Sequence, residues 1–265
     1  MNSREILLYF ALKNEGNWDL IWQDLETRIE PPEEDVKKAL KSITSKYITF
    51  LDDEYPESLK QIFKPPFVLF YYGDISLISD KNNKLAVVGC RKMSEYGEKM
   101  TNELVGELCN DFVIVSGGAV GIDGTAHRAA INNGGKTVMI LGNGVNFTYL
   151  KANEDIYNEC RKHHLVISEY PEDTDPNPFN FPIRNRIIAG LTNNLLVVEG
   201  QINSGTQVTA FLMAEKDGNV CCVPSEAGKS SICNKLISDG AFLVETAQDI
   251  YEISKVIPKK AIFDL

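Results

Sequence analysis

The sequence predicts an α/β fold, a doubly wound and mostly parallel sheet with helices on both faces, preceded by a small helical domain. Two observations carry this. Apolar positions recur with helical period up to about residue 46, and beyond residue 84 short β-branched runs alternate with helical patterns. A third locates the ligand edge: Phe112-Val-Ile-Val-Ser-Gly-Gly-Ala-Val-Gly-Ile-Asp123 is a strand that stops at glycines and runs at once into the helical pattern Thr125-Ala-His-Arg-Ala-Ala-Ile131. Such a turn offers backbone N–H groups and the positive end of a helix dipole at one point, which suits a phosphate.

In chain order, Ile6, Leu7, Phe10, then Trp18, Ile21, Trp22, Leu25, then Val36, Leu40, Ile43 mark helices, and Pro31-Pro32-Glu-Glu-Asp35 has the proline and acids of a helix start. Residues 1–50 are therefore read as the small helical domain. Residues 51–83, rich in proline and aromatics from Tyr55-Pro56 to Gly73, read as linker and lead-in. Within 84–253, strands are expected at Leu85–Gly89, Phe112–Val115, Lys136–Leu141, Leu165–Ser168, Leu195–Glu199, Val220–Val223 and Phe242–Val244, separated by helical patterns such as Tyr96, Met100, Leu104, Leu108. Residues 254–265 read as a tail, with no winged-helix domain expected after the sheet.

The chain has 265 residues and a formal charge of −10, from 27 basic and 37 acidic side chains, which weighs against indiscriminate binding to nucleic acid or anionic membrane. Any polyanion site must be a local basic patch. The Ile6–Leu12 apolar run is too short to span a bilayer and has charged flanks, so a cytoplasmic protein without membrane association is expected. Six cysteines hold no C-x-x-C pair and three histidines are scattered, so no metal is expected and the thiols read as reduced.

Ligands of such sheets sit beyond the carboxyl ends of the strands. The loops there, Gly89–Ser94, Ser116–Gly121, Gly142–Phe147, Glu169–Pro171 and Glu199–Thr206, are rich in glycine, asparagine, serine and threonine, with Arg91 and Lys151 adding positive charge. A single glycine turn is more often mere punctuation; five polar loops on one edge favour a site for a nucleotide or a phosphate backbone. Neither glycine-rich loop satisfies G-x-G-x-x-G, and Gly135-Lys136-Thr137 and Gly228-Lys229-Ser230 lack the earlier glycine of a P-loop, so no dinucleotide or other cofactor is expected. Asp123 reads as a cap or first-turn acid, and His127, among alanines, as a packed and hydrogen-bonded histidine rather than a general base. Phe181-Pro-Ile-Arg184-Asn-Arg186 carries two arginines into an apolar helix. Two readings stand there: forks for phosphate, or partners of Glu169, Glu199 or Asp123 that pin the sheet edge.

Gly89-Cys-Arg91 with Ser94-x-Tyr96-Gly97, Ser116-Gly-Gly-Ala-Val-Gly-Ile-Asp123 with Ala126-His127, Tyr149 before Asn153, Ser168-Glu-Tyr-Pro171, Phe181-Pro-Ile-Arg-Asn-Arg-Ile-Ile-Ala-Gly-Leu191, Ser204-Gly-Thr206 with Thr209-Ala210, and Asn234-x-Leu-Ile-x-x-Gly-Ala241 resemble the DNA processing protein A family (DprA, also called Smf), in family order over about residues 55–245. The resemblance implies an extended Rossmann-like fold and a single-stranded-DNA-binding protein, not an enzyme, that protects incoming strands in natural transformation and helps load RecA recombinase, as a homodimer. Carried over by motif, Arg91 contacts phosphate, with Cys90 where the family has serine, and Lys151 is the basic position after Tyr149-Leu150. Ser116, Gly117, Gly118, Asn153, Phe181, Arg184, Asn185, Arg186, Ser204, Gly205 and Thr206 complete the expected nucleic-acid site, with stacking offered by Phe147, Tyr149, Phe179 or Phe181. Val223-Pro224-Ser225 and Val198-Glu199-Gly200 depart from the family pattern.

Two other classes stay open. Ser204-Gly-Thr-Gln-Val-Thr209 partly echoes the motif of Lonely Guy-type nucleoside-monophosphate phosphoribohydrolases, with Thr209 in place of the catalytic glutamate. A pocket that senses a free nucleotide is the other.

Overall fold

The computed structural model describes residues 1–148, 151–227 and 231–255. Tyr149, Leu150, the Gly228–Ser230 segment and the expected tail beyond residue 255 lie outside the described residues.

Among the described residues nine strands form one sheet, β1 (Lys46–Thr49), β2 (Val68–Gly73), β3 (Lys84–Gly89), β4 (Val113–Gly117), β5 (Thr137–Ile140), β6 (Leu165–Ser168), β7 (Asn194–Glu199), β8 (Asn219–Cys222) and β9 (Phe242–Leu243), in the order β1-β2-β6-β5-β4-β3-β7-β8-β9. β6 to β9 in that order are parallel throughout, as the expected βα repeats require, whereas β1 and β2 join antiparallel at one edge. Each expected strand is present, within two residues at either end.

Side chains alternate between the two faces of the parallel strands, and both are buried. One face (Ala86, Val88, Val138, Ile140, Val197) packs on α4 (Glu57–Lys60), α8 (Asn180–Leu191), α9 (Gly205–Glu215) and α10 (Ile232–Ser238). The other (Leu85, Val87, Ile114, Val198) packs on α5 (Glu95–Leu108), α6 (Ile122–Asn132) and α11 (Ala247–Ser254).

Two boundaries read from sequence are corrected here. The stretch taken as linker contributes α4 and the whole of β2, whose Leu69 and Phe70 are fully buried, and β1 falls within the segment read as helical, so both segments take part in the sheet. Val68–Tyr72 is a continuous apolar run with no period-2 alternation, so the pattern on which strand assignment rests is absent there. The helical segment is present as α1 (Ser3–Lys13), α2 (Trp18–Glu26) and α3 (Glu33–Ser42), but it has no core of its own: Leu8, Phe10 and Ile21 share one cluster with Phe70, Met139, Val166 and Tyr157 of α7 (Glu154–His163).

The position of the site follows from strand order. From β3 the chain winds outward through β4, β5 and β6, then returns to the opposite side of β3 as β7. α5 leaves β3 on one face and α9 leaves β7 on the other, so the chain parts between the carboxyl ends of β3 and β7 and leaves a crevice there.

Candidate nucleic-acid interface

A groove of about 1160 Å³ opens in this crevice. Its walls are the ends of β3 (Gly89, Cys90, Arg91) and β7 (Glu199, Gly200), the start of α9 (Ser204, Gly205, Thr206), and Pro178, Phe181, Arg184 and Asn185 of the α8 approach. A smaller recess of about 30 Å³ adjoins it and shares Arg91, Ala119, Phe181 and Arg184 with it.

Helix N-termini meet here. α9 begins at Ser204 with no side chain capping its first N–H groups, and the Ser204 hydroxyl is turned back to the Gln201 carbonyl at 2.6 Å. α6 begins at Gly121, also without a side-chain cap. Its φ of +82° and the carbonyls of Cys90 and Arg91 packed against its α-carbon leave no room for a Cβ, so this close crossing of two loops demands glycine. α5 differs: the Ser94 side chain caps Gly97 N–H, and Glu199 Oε2 accepts from Ser94 N at 2.8 Å and Oγ at 3.1 Å. A carboxylate of the protein thus already occupies the anion position of that helix.

Electrostatics in the floor are set by a buried pair. Asp123 and Arg184 both press on the α-carbon of Gly117. Burial pushes the Asp123 carboxyl up to about 6, against the pull of the Arg184 guanidinium and of the Gly89 and Ala119 N–H groups that bond it. Burial likewise lowers Arg184, whose guanidinium donates to the Ile140 carbonyl and, through Nε at 3.1 Å, to Asn185 Oδ1. Asn185 in turn donates to Gly205 O at 3.2 Å, tying α8 to the start of α9. Fixed charge at the rim is Arg91 and Lys92, both exposed, with the Arg91 guanidinium 5.8 Å from the Phe181 ring centre.

The model of the DNA recombination-mediator protein A family matches residues 46–255. The chain belongs to that family. It is 42% identical over 204 residues to DNA processing protein DprA of Streptococcus pneumoniae, covering 76% of this chain and 72% of the relative. The X-ray structure of the Streptococcus pneumoniae DprA superposes with a TM-score of 0.76 at 32% identity, over 94% of this chain and 92% of that one. DNA processing protein A from Helicobacter pylori, solved for its single-stranded DNA binding mode, superposes at 0.71 with 28% identity over 78% of this chain and 95% of that one.

The expected site residues other than Ser116 and Arg186 divide into three groups. Arg91, Phe181, Arg184, Asn185, Ser204, Gly205 and Thr206 line the groove, and Gly118 and Asn153 line the recess. Lys151 is exposed on a single 3-10 turn, Lys151–Asn153, two residues from the recess-lining Asn153. Gly117 is buried beneath the floor.

Two residues are corrected. The Ser116 side chain is fully buried and donates to Val87 O at 2.6 Å, so it braces β3 against β4 instead of facing a ligand. Arg186 faces away from the groove. Its guanidinium meets Glu169 through two bonds of 2.5 and 2.6 Å and donates to Lys64 O and Ile183 O, which uses four of its five N–H groups in a buried position. Residues two apart on a helix point in directions roughly 200° apart, so Arg184 and Arg186 cannot both serve one groove.

His127 is fully buried; Nε2 lies 2.8 Å from Gly117 O and Nδ1 2.7 Å from Thr137 Oγ1, and burial lowers it to about 4, so the neutral ring ties α6 to β4 and β5. Two features escaped sequence reasoning. Glu199 caps α5 from another strand, a contact 105 residues apart that no spacing announces. Asn143, between the two glycines of the Gly142 loop, lines the recess.

Proposed function

We propose that this chain binds single-stranded DNA by its sugar-phosphate backbone in the β3–β7 groove, without breaking a bond. The observation that carries the reading is the start of α9, without a side-chain cap among the described residues, beside an exposed Arg91 along one open groove edged by Phe181. Backbone donors and a guanidinium serve phosphates, and an aromatic edge serves bases irrespective of sequence. Membership of a recombination-mediator family and the single-stranded DNA binding mode described for the Helicobacter pylori relative support it.

Arg91 and Lys151 are the phosphate contacts, Ser204, Gly205 and Thr206 offer N–H groups, and Arg184 supplies field from below. Asp123, Glu199 and Glu226 also line the groove, so few phosphates are neutralised and a flexible single strand, which can choose its path, suits it better than a duplex. Protection of incoming strands, RecA loading and action as a cytoplasmic homodimer are the further parts of the same reading. The phosphoribohydrolase alternative finds Thr209 buried with its hydroxyl on the Gly205 carbonyl at 3.1 Å, a group that cannot supply general-base chemistry. Chromatography of AMP after incubation tests it, and adenine release would restore it.

Fluorescence anisotropy with labelled oligo-dT, at ~50 and ~200 mM salt, tests the main reading. Arg91→Glu and Lys151→Glu each weaken binding by about tenfold or more and flatten the salt slope by about one. Parent-like binding by both variants means the strand lies elsewhere.

A further inference from the structure

We infer that a second groove, across a ridge of Pro178 and Pro182 from the first, is a docking surface for a cationic, amphipathic segment of a partner protein, with Lys or Arg on one side and apolar residues on the other. This surface is separate from the one proposed for DNA.

About 1300 Å³ of open space lies between the α1–α2 turn, the 169–177 loop, Phe63-Lys64, and Ile183 of α8 with Val208 of α9. Pro178 and Pro182 line both grooves, so an occupant here stands beside whatever the first groove holds. The walls are fixed to one another. Gly16 in the α1–α2 turn, at φ +75°, is packed on the Glu169 carbonyl and on Tyr170. Arg186, turned away from the first groove, braces the second: its guanidinium joins the Glu169 carboxylate to the carbonyls of Lys64 and Ile183. A groove held in this way needs little ordering when a partner arrives.

Its chemistry is divided. Acids gather where the α1–α2 turn meets the 169–177 loop. Glu15 and Asp175 are exposed and pair with no cation among the described residues, and Asp173 accepts from the neutral Asn146 amide at 2.8 Å. The Glu172 carboxylate is taken up by the N–H groups of Thr44 and Ser45 and the Thr44 hydroxyl, again without a cation. Lys64 and Arg186, the cations among the lining residues, are already spent on Asp19 at 2.6 Å and on Glu169. Apolar surface lies elsewhere on the wall, with Phe63 80%, Ile183 51% and Val208 39% exposed. Single exposed apolar side chains are ordinary, but several gathered in a groove and rimmed by acids mark a protein contact.

That division chooses the occupant. Four carboxylates without a cation repel nucleic acid, and a wholly apolar ligand leaves them uncompensated. A segment with Lys or Arg toward the acids and Leu, Ile or Phe toward α8 and α9 satisfies both parts of the wall.

Fluorescence anisotropy on the full chain, at ~50 and ~150 mM salt, uses a labelled leucine–lysine peptide of about 14 residues with leucine on one helical face and lysine on the other. The parent binds it, and binds a counterpart with serine for leucine about tenfold more weakly. Glu15→Lys with Asp175→Lys weakens the leucine peptide by about tenfold. Glu103→Lys with Glu107→Lys, the same change of net charge on exposed positions of α5 across the sheet, weakens it by less than about twofold. Far-UV circular dichroism checks each fold, and Glu15→Gln with Asp175→Asn carries the comparison should the reversal not fold. No binding by the parent overturns the inference. Equal losses in the groove and α5 variants overturn it too, because net charge alone then holds the peptide, as does equal binding of the leucine and serine peptides, because the apolar wall then takes no part. Light scattering of the parent and Ile183→Ser separates a second copy of this chain: an oligomer that this change makes monomeric overturns the inference, and an unchanged mass keeps the groove for a different protein.

Discussion

Asp123 and His127 stand one helical turn apart and respond to pH in opposite senses. The Asp123 carboxyl is raised from its ordinary 3.8 to about 6, so its neutral form is favoured by folding; that contribution is complete below about 3.8 and is lost as pH rises through 6. His127 is lowered from 6.5 to about 4, so its contribution is complete above 6.5 and is lost as pH falls through 4. Each amounts to roughly 3 kcal/mol, and between pH 4 and 6.5 they offset one another. Asp123→Asn therefore loses roughly 3 kcal/mol more than the parent on acidification from pH 7 to 4, while His127→Gln gains relative to the parent over the same range. Urea midpoints at several pH values check this, and variants that keep the parent's profile would show that neither group is protonated as described. The buried Arg186–Glu169 pair makes a second residue-scale prediction. Glu169→Gln or Arg186→Met strands one charge and costs about 3–5 kcal/mol of stability, while binding of oligo-dT by the folded fraction is unchanged. A loss of binding comparable to that of Arg91→Glu would return Arg186 to the site.

At the scale of elements, two loops that the sequence reads separately are one structure. Gly121, at the start of α6, lies under the Cys90 and Arg91 carbonyls after β3, and Ile122 N–H donates to Cys90 O at 3.2 Å. Gly121→Ala must both hold φ near +82° and displace that backbone, so it moves the Arg91 loop. The expected outcome is lower thermal stability together with weaker oligo-dT binding; destabilisation with parent-like affinity would mean that Arg91 is positioned independently of α6. The helix N-termini repeat the lesson. α5, α6 and α9 all follow a strand and begin near one edge, yet α5 is capped by Glu199 from β7 and is closed to an anion. Periodicity locates a helix start, but only the neighbouring strand says whether its N–H groups are spent.

For the whole molecule, the shared cluster of α1–α3, β2 and α7 predicts that the helical segment and the sheet unfold together. Leu8, fully buried in that cluster, costs about 2–5 kcal/mol when cut to alanine and shifts a single thermal transition. A separate early transition, with the sheet unmoved, would make the helical segment an independent unit. Among the described residues no helix is long and apolar enough to cross a membrane.

The sequence by itself determined the βα repeat, all seven parallel strands, the edge whose loops form the candidate site, and the family, because those depend on local period and on short contiguous motifs. It also determined His127 as a packed histidine, since small neighbours leave room for burial. Tertiary structure alone decided what each polar side chain does at that edge. Arg184 and Arg186 differ by the half-turn between them, Ser116 is consumed by β3, Glu199 caps a helix from another strand, and Asn143 keeps a bare acceptor beside the groove. A donor's availability depends on which partners the other strands bring within about 3 Å, and that distance is not written in local pattern.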